Sequence, residues 1–439
     1  MLLPTLDDRP AAPCALPGTP LAAARPGLDA CVHCGFCLQA CPTYVNLQDE
    51  NDSPRGRIQL MREVLEGGLP VDDPDVNLHI DRCLGCRACE TACPSGVPYG
   101  QLLEATRATL AEGRPRPLVA RVVLGTFARK RLLALVLLGA RLFRATGLPR
   151  LLARALGGRA AFALAMLDST RPAVRAPHWR PRGDGARGEA VLLEGCVMRG
   201  LFAHTHDAAR RTLGHNGYRM VRAPGQACCG ALHAHAGDLE TARALARANV
   251  AAFERAPDAL VVSDAAGCGA MLKVYGQLLA DDTARAARAR AEAARASDVS
   301  EALAAVGARA AAGAAMGDGA PVRVTYDAPC HLLHAQRVAD PPLRVLEAVG
   351  GIELVPLAEA DQCCGSAGIY NLIEPETSDA VLAPKLQHVR DTGAALVASG
   401  NPGCLMQLGA GLSRAGSRTR VVHPVELLDA AYARGDSSV

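Results

Sequence analysis

Aromatic residues make up only 3% of the 439-residue chain, with one Trp, seven Tyr and six Phe. That leaves little to stack on nucleic-acid bases, and no nucleic-acid partner is expected. Lysine is nearly missing: of 47 basic residues, 44 are Arg and 3 are Lys, a bias that fits a GC-rich coding sequence better than a function. The net charge of +3 points to no particular partner. Long apolar runs are also lacking. In the middle of the chain the longest, LLALVLLGA from Leu132 to Ala140, is nine residues, well short of the roughly 20 that span a bilayer. The opening MLLPTLDDRPAAPCALPGTP has no basic or apolar targeting region, with acids at Asp7 and Asp8. It reads as an irregular Pro-rich tail over 1–27 and not as a secretory signal. Together these absences predict a soluble, cytoplasmic protein.

What is abundant is cysteine, 17 in all. In a reducing compartment clustered cysteines are metal ligands or redox thiols more often than disulfides. Cys31, Cys34, Cys37 and Cys41 precede Pro42, and Cys83, Cys86, Cys89 and Cys93 precede Pro94. Both sets read C-x2-C-x2-C-x3-C-P, the run of two-cluster ferredoxins. Three thiolates at two-residue intervals wrap three corners of one cubane, and the fourth reaches the partner cluster. The spacing therefore assigns one [4Fe–4S] cluster to Cys31, Cys34, Cys37 and Cys93, and the other to Cys83, Cys86, Cys89 and Cys41. Structural zinc sites favour two separated C-x2-C pairs, which this phrase does not offer. His33, between two ligands, is expected to face solvent or to support the sulfurs. The 41 residues between Cys41 and Cys83 contain SPRGRIQLMREVLEGG. It predicts a helix capped by Ser53, with Pro54 first and Gly67 past the end, and Ile58, Met61, Val64 and Leu65 on one face.

From about residue 188 the chain repeats itself. One copy carries Cys196, the pair Cys228 and Cys229 in QACCG, then Cys268; the other carries Cys330, the pair Cys363 and Cys364 in DQCCG, then Cys404. The gaps are 31 and 38 residues in the first copy and 32 and 39 in the second, which marks an internal duplication. Apolar runs precede nearly every cysteine and helical stretches lie between, such as DLETARALARANVAAFER with Asp238 as cap. That alternation predicts parallel sheets, with the cysteines in loops after the carboxyl ends of strands. Each repeat then gathers four thiols, as an additional metal or cluster site, a dithiol redox centre or buried cysteines. His233, His235, His331 and His334 follow them as ligands or structural residues. Cys14 is left without a role.

Between these regions, residues 114–187 hold 16 basic residues against Asp168 and Asp184. Such a segment suits an anionic membrane surface, an acidic partner or plain solvent. Residues 283–318 read as an Ala-rich helical connector in which Asp298 and Glu301 form a capping pair, ending in a loop, AAAGAAMGDGA. The expected organisation is a tail (1–27), a ferredoxin-type domain (28–112), a basic helical linker (113–187), a first cysteine-rich domain (188–282), a connector (283–320) and a second cysteine-rich domain (321–432).

CVHCGFCLQACPTY, DSPRGRIQLMREVLEG, DRCLGCRACETACPSGVPYG, CCGALHAHAGD, CCGSAGIYN and NPGCLMQL, in this order from about 28 to 430, resemble the iron–sulfur subunits of glycolate oxidase (glycolate dehydrogenase). The resemblance implies a multidomain fold: a mostly α-helical two-cluster ferredoxin-type domain followed by two duplicated α/β, parallel-sheet CCG domains of heterodisulfide-reductase type. It implies an electron-transfer subunit relaying electrons from the FAD of a partner subunit, which oxidises glycolate to glyoxylate, to a respiratory acceptor such as quinone. No flavin and no catalytic residue are expected on this chain, which has no G-x-G-x-x-G after a predicted strand and no acid/base pair placed for hydroxy-acid chemistry. The expected place is the cytoplasm, with the inner membrane face as a candidate site of contact. Related subunits of lactate- or glycerol-3-phosphate-oxidising complexes share the layout, and a disulfide reductase of CCG type is a further alternative. Domains of the heterodisulfide-reductase type carry a fifth thiolate, for which this sequence has Ala265 and Asn401; their noncubane cluster is not carried over.

Overall fold

The computed structural model describes residues 14–113, 117–176, 178–181, 183–309 and 319–436. The start of the expected tail and nearly all of the expected loop over 310–320 lie outside them. The chain divides into two compact units: Met1–Gly85, Cys89–Arg116 and His235–Gly237 form one, and Cys86–Ala88, Pro117–Ala234 and Asp238–Val439 the other.

The smaller unit is helical. Its centre is the helix Pro54–Glu66, where the Ser53 hydroxyl accepts the Gly56 N–H, Pro54 takes the first position and Gly67 closes the end in a left-handed conformation. The expected face of Ile58, Met61, Val64 and Leu65 is buried, in one apolar cluster with Leu21, Leu28, Ile80, Leu102 and Leu110. Residues 20–27, expected to end the tail, instead lie in two short helices, Pro20–Ala23 and Arg25–Asp29. Burial of Leu21 and Leu28, at about 1.5–3 kcal/mol per side chain, holds them to the core, and the Leu21 N–H donates to Thr109 Oγ1 at 3.1 Å.

In the larger unit two sheets are built alike. The first has β1 (Glu189–Leu192), β2 (Arg219–Val221), β3 (Leu260–Ser263) and β4 (Ala296–Asp298); the second has β5 (Val322–Tyr326), β6 (Ile352–Val355), β7 (Leu396–Ala398) and β8 (Arg420–Val422). The orders are β2-β1-β3-β4 and β6-β5-β7-β8, and every pairing is parallel. Buried residues of both sheets, such as Leu192, Val262, Val324 and Leu396, belong to one apolar core. The duplication read from cysteine spacing is therefore a duplication of topology. β4 falls inside the expected connector: its three residues, Ala-Ser-Asp, carry no apolar run and gain strand geometry from pairing with β3. Directly after it, Asp298 and Glu301 make the expected capping box.

The basic segment forms four helices, Leu118–Phe127, Lys130–Ala145, Leu148–Ala155 and Gly158–Ser169. They join the larger unit. Leu137, Ala140, Phe162 and Leu167 pack against the apolar cluster that contains Leu405 and Leu408, and Arg144 donates to the carbonyl of Leu201 at 3.1 Å.

Candidate metal centres

The first cysteine run is an open loop held by the helix that follows it. Arg62 donates from Nη2 to the carbonyls of Leu28 (2.6 Å) and Cys31 (3.4 Å), and Arg55 reaches the carbonyl of His33 at 3.5 Å. Cys31, Cys34, Cys37 and Cys93, the four residues expected to share one cluster, line a single hollow, with Cys89 also at its wall. Cys34 is exposed. Burial pushes the Cys37 thiol up to about 11; thiolate there needs a cation to stabilise it. His33 is exposed, its Nε2 3.4 Å from Arg62 Nη1, as expected of a residue that is not a ligand.

Cys41 and Cys83 flank Arg57, which is fully buried. Its Nε donates to the carbonyl of His79 at 2.6 Å, its Nη1 to Thr43 Oγ1 at 3.0 Å and its Nη2 to Asp52 Oδ1 at 3.0 Å. Nη1 lies 4.0 Å from Cys41 Sγ. The Tyr99 hydroxyl and the Gly85 N–H point at Cys83 Sγ, at 3.7 and 3.4 Å, and Arg107 Nη2 fixes the Cys83 carbonyl at 2.7 Å. Cys86 and Cys89 are buried. In the sequence SPRGRI reads as a helix start and a family signature, with no role for its arginines. Their signal was present: three arginines at 55, 57 and 62 in a helix between two ligand runs. Asp49, Asp52 and His79 also lie together, but Arg57 and Arg82 already neutralise Asp52, at 3.0 and 3.1 Å.

Each repeat of the larger unit brings its four cysteines together where β1 and β3, or β5 and β7, diverge into connections on opposite sides, the switch point at which open α/β sheets bind ligands. In the first, Cys196 and Cys228 Sγ are 3.6 Å apart, Cys228 meets Cys229, and Cys229 meets Cys268. In the second the same chain runs Cys330, Cys363, Cys364, Cys404. Hydrogen bonds with Cys196 and Cys229 hold the Cys228 thiol well below its ordinary value, while Cys196 and Cys229 are pushed up by those bonds and by burial. The glycine of each CCG triplet has positive φ, 91° at Gly230 and 81° at Gly365. This turn aims the glycine N–H back at the first thiol of the pair, at 3.4 Å for Cys363.

The positions without a fifth thiolate begin two equivalent helices, Ala266–Lys273 and Pro402–Arg414, with nearly identical extended caps at Ala265 and Asn401. Those caps meet each other. The Ala266 N–H donates to the Gly400 carbonyl at 3.1 Å and the Gly267 N–H to Asn401 Oδ1 at 3.2 Å. Cys268 packs against the apolar cluster that holds Cys364 and Cys404, so the two thiol chains are neighbours. Three of the four histidines are occupied elsewhere: His233 with the Leu124 carbonyl (3.1 Å), His235 with Glu104 (2.8 Å) and His334 with the Asp361 carbonyl (3.2 Å). His331 lies at a thiol, its Nδ1 3.5 Å from Cys330 Sγ.

A single tetrahedral zinc would draw its sulfurs to about 3.8 Å from one another, given Zn–S near 2.3 Å. Among the described residues no three cysteine sulfurs lie within 4.8 Å of one another.

Comparison with known proteins agrees with this geometry. A 4Fe-4S dicluster domain matches residues 27–97, and the cysteine-rich CCG domain matches residues 190–273 and 324–409. The probable glycolate oxidase iron-sulfur subunit of Bacillus subtilis is 37% identical, over 91% of this chain and 92% of its own. The glycolate oxidase iron-sulfur subunit of Escherichia coli is 34% identical, over 92% and 94%. Lactate utilization protein A of Geobacillus kaustophilus is 30% identical over 54% of this chain and 96% of its own length. With both its cluster-binding and its cysteine-rich regions matched along nearly the whole length, the chain belongs to the family of glycolate oxidase iron–sulfur subunits.

Proposed function

We propose that this chain relays electrons, one at a time, from the FAD of a partner subunit that oxidises glycolate to glyoxylate. The substrate gives up two electrons and two protons to the flavin; the electrons leave through this chain to a respiratory acceptor such as a quinone. The observation that carries the reading is the pair of complete ligand runs, Cys31, Cys34 and Cys37 with Cys93, and Cys83, Cys86 and Cys89 with Cys41, with Arg57 buried beside Cys41. Two [4Fe–4S] clusters there would supply one-electron carriage. The chain's own residues set how readily an electron is accepted. The buried Arg57 cation and the N–H and O–H groups aimed at Cys83 favour the more negative, reduced state. The four thiols of each cysteine-rich repeat form a further metal centre of the same relay, supported by their burial, spacing and proximity to one another. The basic segment 114–187 is the candidate for peripheral contact with the inner face of the membrane.

The test is Cys86→Ser in the assembled complex. Glycolate should still bleach the flavin, while reduction of the acceptor falls by at least tenfold and one cluster signal disappears. Full acceptor reduction by the variant would show that electrons bypass this chain. The likeness to lactate utilization protein A supports a second substrate, lactate, and flavin bleaching by lactate in place of glycolate would establish it.

A further inference from the structure

The helices Lys130–Ala145 and Leu148–Ala155 expose leucines that nothing in the larger unit covers. Leu135 is 68% exposed, and Leu142 and Leu151 are 62% exposed. The two helices are bent by 78° at their junction, and no single helix of the described residues is long and apolar enough to cross a membrane. Along the first helix Leu138, Arg141, Leu142 and Ala145 recur at helical spacing and form one wall of an open cavity of about 670 Å³.

The rest of that cavity is cationic. Arg144, Arg171, Arg175 and Arg420 join Arg141 at its surface, and no carboxylate lines it. Asp168 pairs with Arg171 at 2.7 Å. Arg144 and Arg420 turn donors onto the carbonyls of Thr170 and Pro172, at 2.7 and 2.6 Å, which fixes the guanidiniums without neutralising them. Burial and the neighbouring Arg171 and Arg141 charges pull the Arg144 pKa down, as crowding of like charge does. An acidic protein would match the charge but not the exposed leucines beside it. Anionic phospholipid matches both: phosphate for the arginines, acyl carbons for the leucines, with long arginine side chains reaching back to the headgroup level.

We infer that this bent helix pair and its arginine-lined cavity dock the chain on an anionic phospholipid surface, the cavity receiving headgroup phosphate and Leu135, Leu138 and Leu142 entering the interface. This rests on the peripheral contact proposed for the basic helices and deepens it, since it names the lipid chemistry and the residues that hold the chain there.

Flotation of the cluster-loaded chain with vesicles tests it. Phosphatidylcholine vesicles containing about a third phosphatidylglycerol should carry the protein up, pure phosphatidylcholine vesicles should not, and salt should weaken the binding. Arg141→Gln with Arg175→Gln should lower partitioning about thirty-fold, from the usual contribution of two basic residues at a charged surface. Leu135→Gln with Leu142→Gln, both exposed and harmless to the fold, should lower it about tenfold or more. Equal binding to both vesicle types, unchanged binding by either double variant, or binding of inorganic phosphate without vesicles would overturn the inference. So would loss of the flavoprotein subunit from the variants with vesicle binding intact, since the face would then be a protein interface. Failure here leaves the relay standing, because flavin and acceptor reduction are measured without vesicles.

Discussion

The two cysteine-rich repeats share strand order, thiol order and glycine geometry, yet support their thiols differently. In the first, Asn249 accepts the Ala227 N–H at 2.8 Å and donates to the Cys228 carbonyl at 3.0 Å, while the Tyr275 hydroxyl donates to the Cys229 carbonyl at 2.8 Å. In the second, a buried lysine does this work. Lys385 Nζ donates to the carbonyls of Glu359 and Ala360, at 2.6 and 3.1 Å, and pairs with Asp327 at 3.2 Å. Asp327 stands three residues before Cys330, where the first repeat has Leu193. The thiol positions and the turn that aims an N–H at them are thus the shared part, and the scaffold behind them varied after duplication. Neutral hydrogen bonds hold one site and an ion pair the other.

The comparison breaks most visibly at the ion pair. Lys385→Met leaves Asp327 buried without its cation and should cost about 3–5 kcal/mol, lowering the urea midpoint. Behind the CCG loop of the first repeat the corresponding contacts are the neutral ones of Asn249 and Tyr275. A smaller effect separates the two glycines. Gly230→Ala should cost about 1–2 kcal/mol for its left-handed backbone. Gly365→Ala should cost more, since its added Cβ would lie 2.6 Å from the Ser378 carbonyl oxygen, against 3.2 Å from that of Ala242 at Gly230. Equal midpoints for the two variants would contradict this packing difference.

A third effect is a slope with pH. Burial pushes Asp298 of the first repeat and Glu426 of the second up to about 7, against ordinary values near 3.9 and 4.3. Between roughly pH 4 and 7 the folded chain keeps protons there that the unfolded chain releases, so stability falls as pH rises through that window. Asp298→Asn, which keeps the helix cap, and Glu426→Gln should each remove part of that fall. Melting at pH 5 and pH 8 measures it, and slopes equal to that of the unsubstituted protein would refute the assignment.

Much of this was legible in the sequence. The ferredoxin-type runs place Cys31, Cys34, Cys37 and Cys93 around one hollow because their spacing is dictated by what they hold. The helix Pro54–Glu66 has its cap, its first proline and its terminal glycine written in local sequence, and the duplication shows in cysteine gaps alone. What was not legible depends on partners distant in the chain. β4 is a strand only because β3 lies beside it. Arg57 reads as one more surface arginine until folding buries it between Cys41, Asp52 and the His79 carbonyl. Ala265 and Asn401 read as missing ligands, but the fold uses them as the caps through which the repeats touch. Segment 118–169 reads as a linker, since arginines interrupt its apolar residues, yet one side of these helices packs on the repeats.

The central claim, that this chain carries electrons on two cubanes held by the eight cysteines of its two ferredoxin-type runs, is tested most directly by counting iron and sulfide. The chain would be purified anaerobically and its EPR spectrum recorded before and after dithionite, alongside a variant with Cys196, Cys228, Cys330 and Cys363 changed to Ser. The account predicts reduced [4Fe–4S] signals in both, about eight irons in the variant and more in the unsubstituted chain. Far fewer than eight irons in a folded chain, zinc in their place, or no signal on reduction would contradict it.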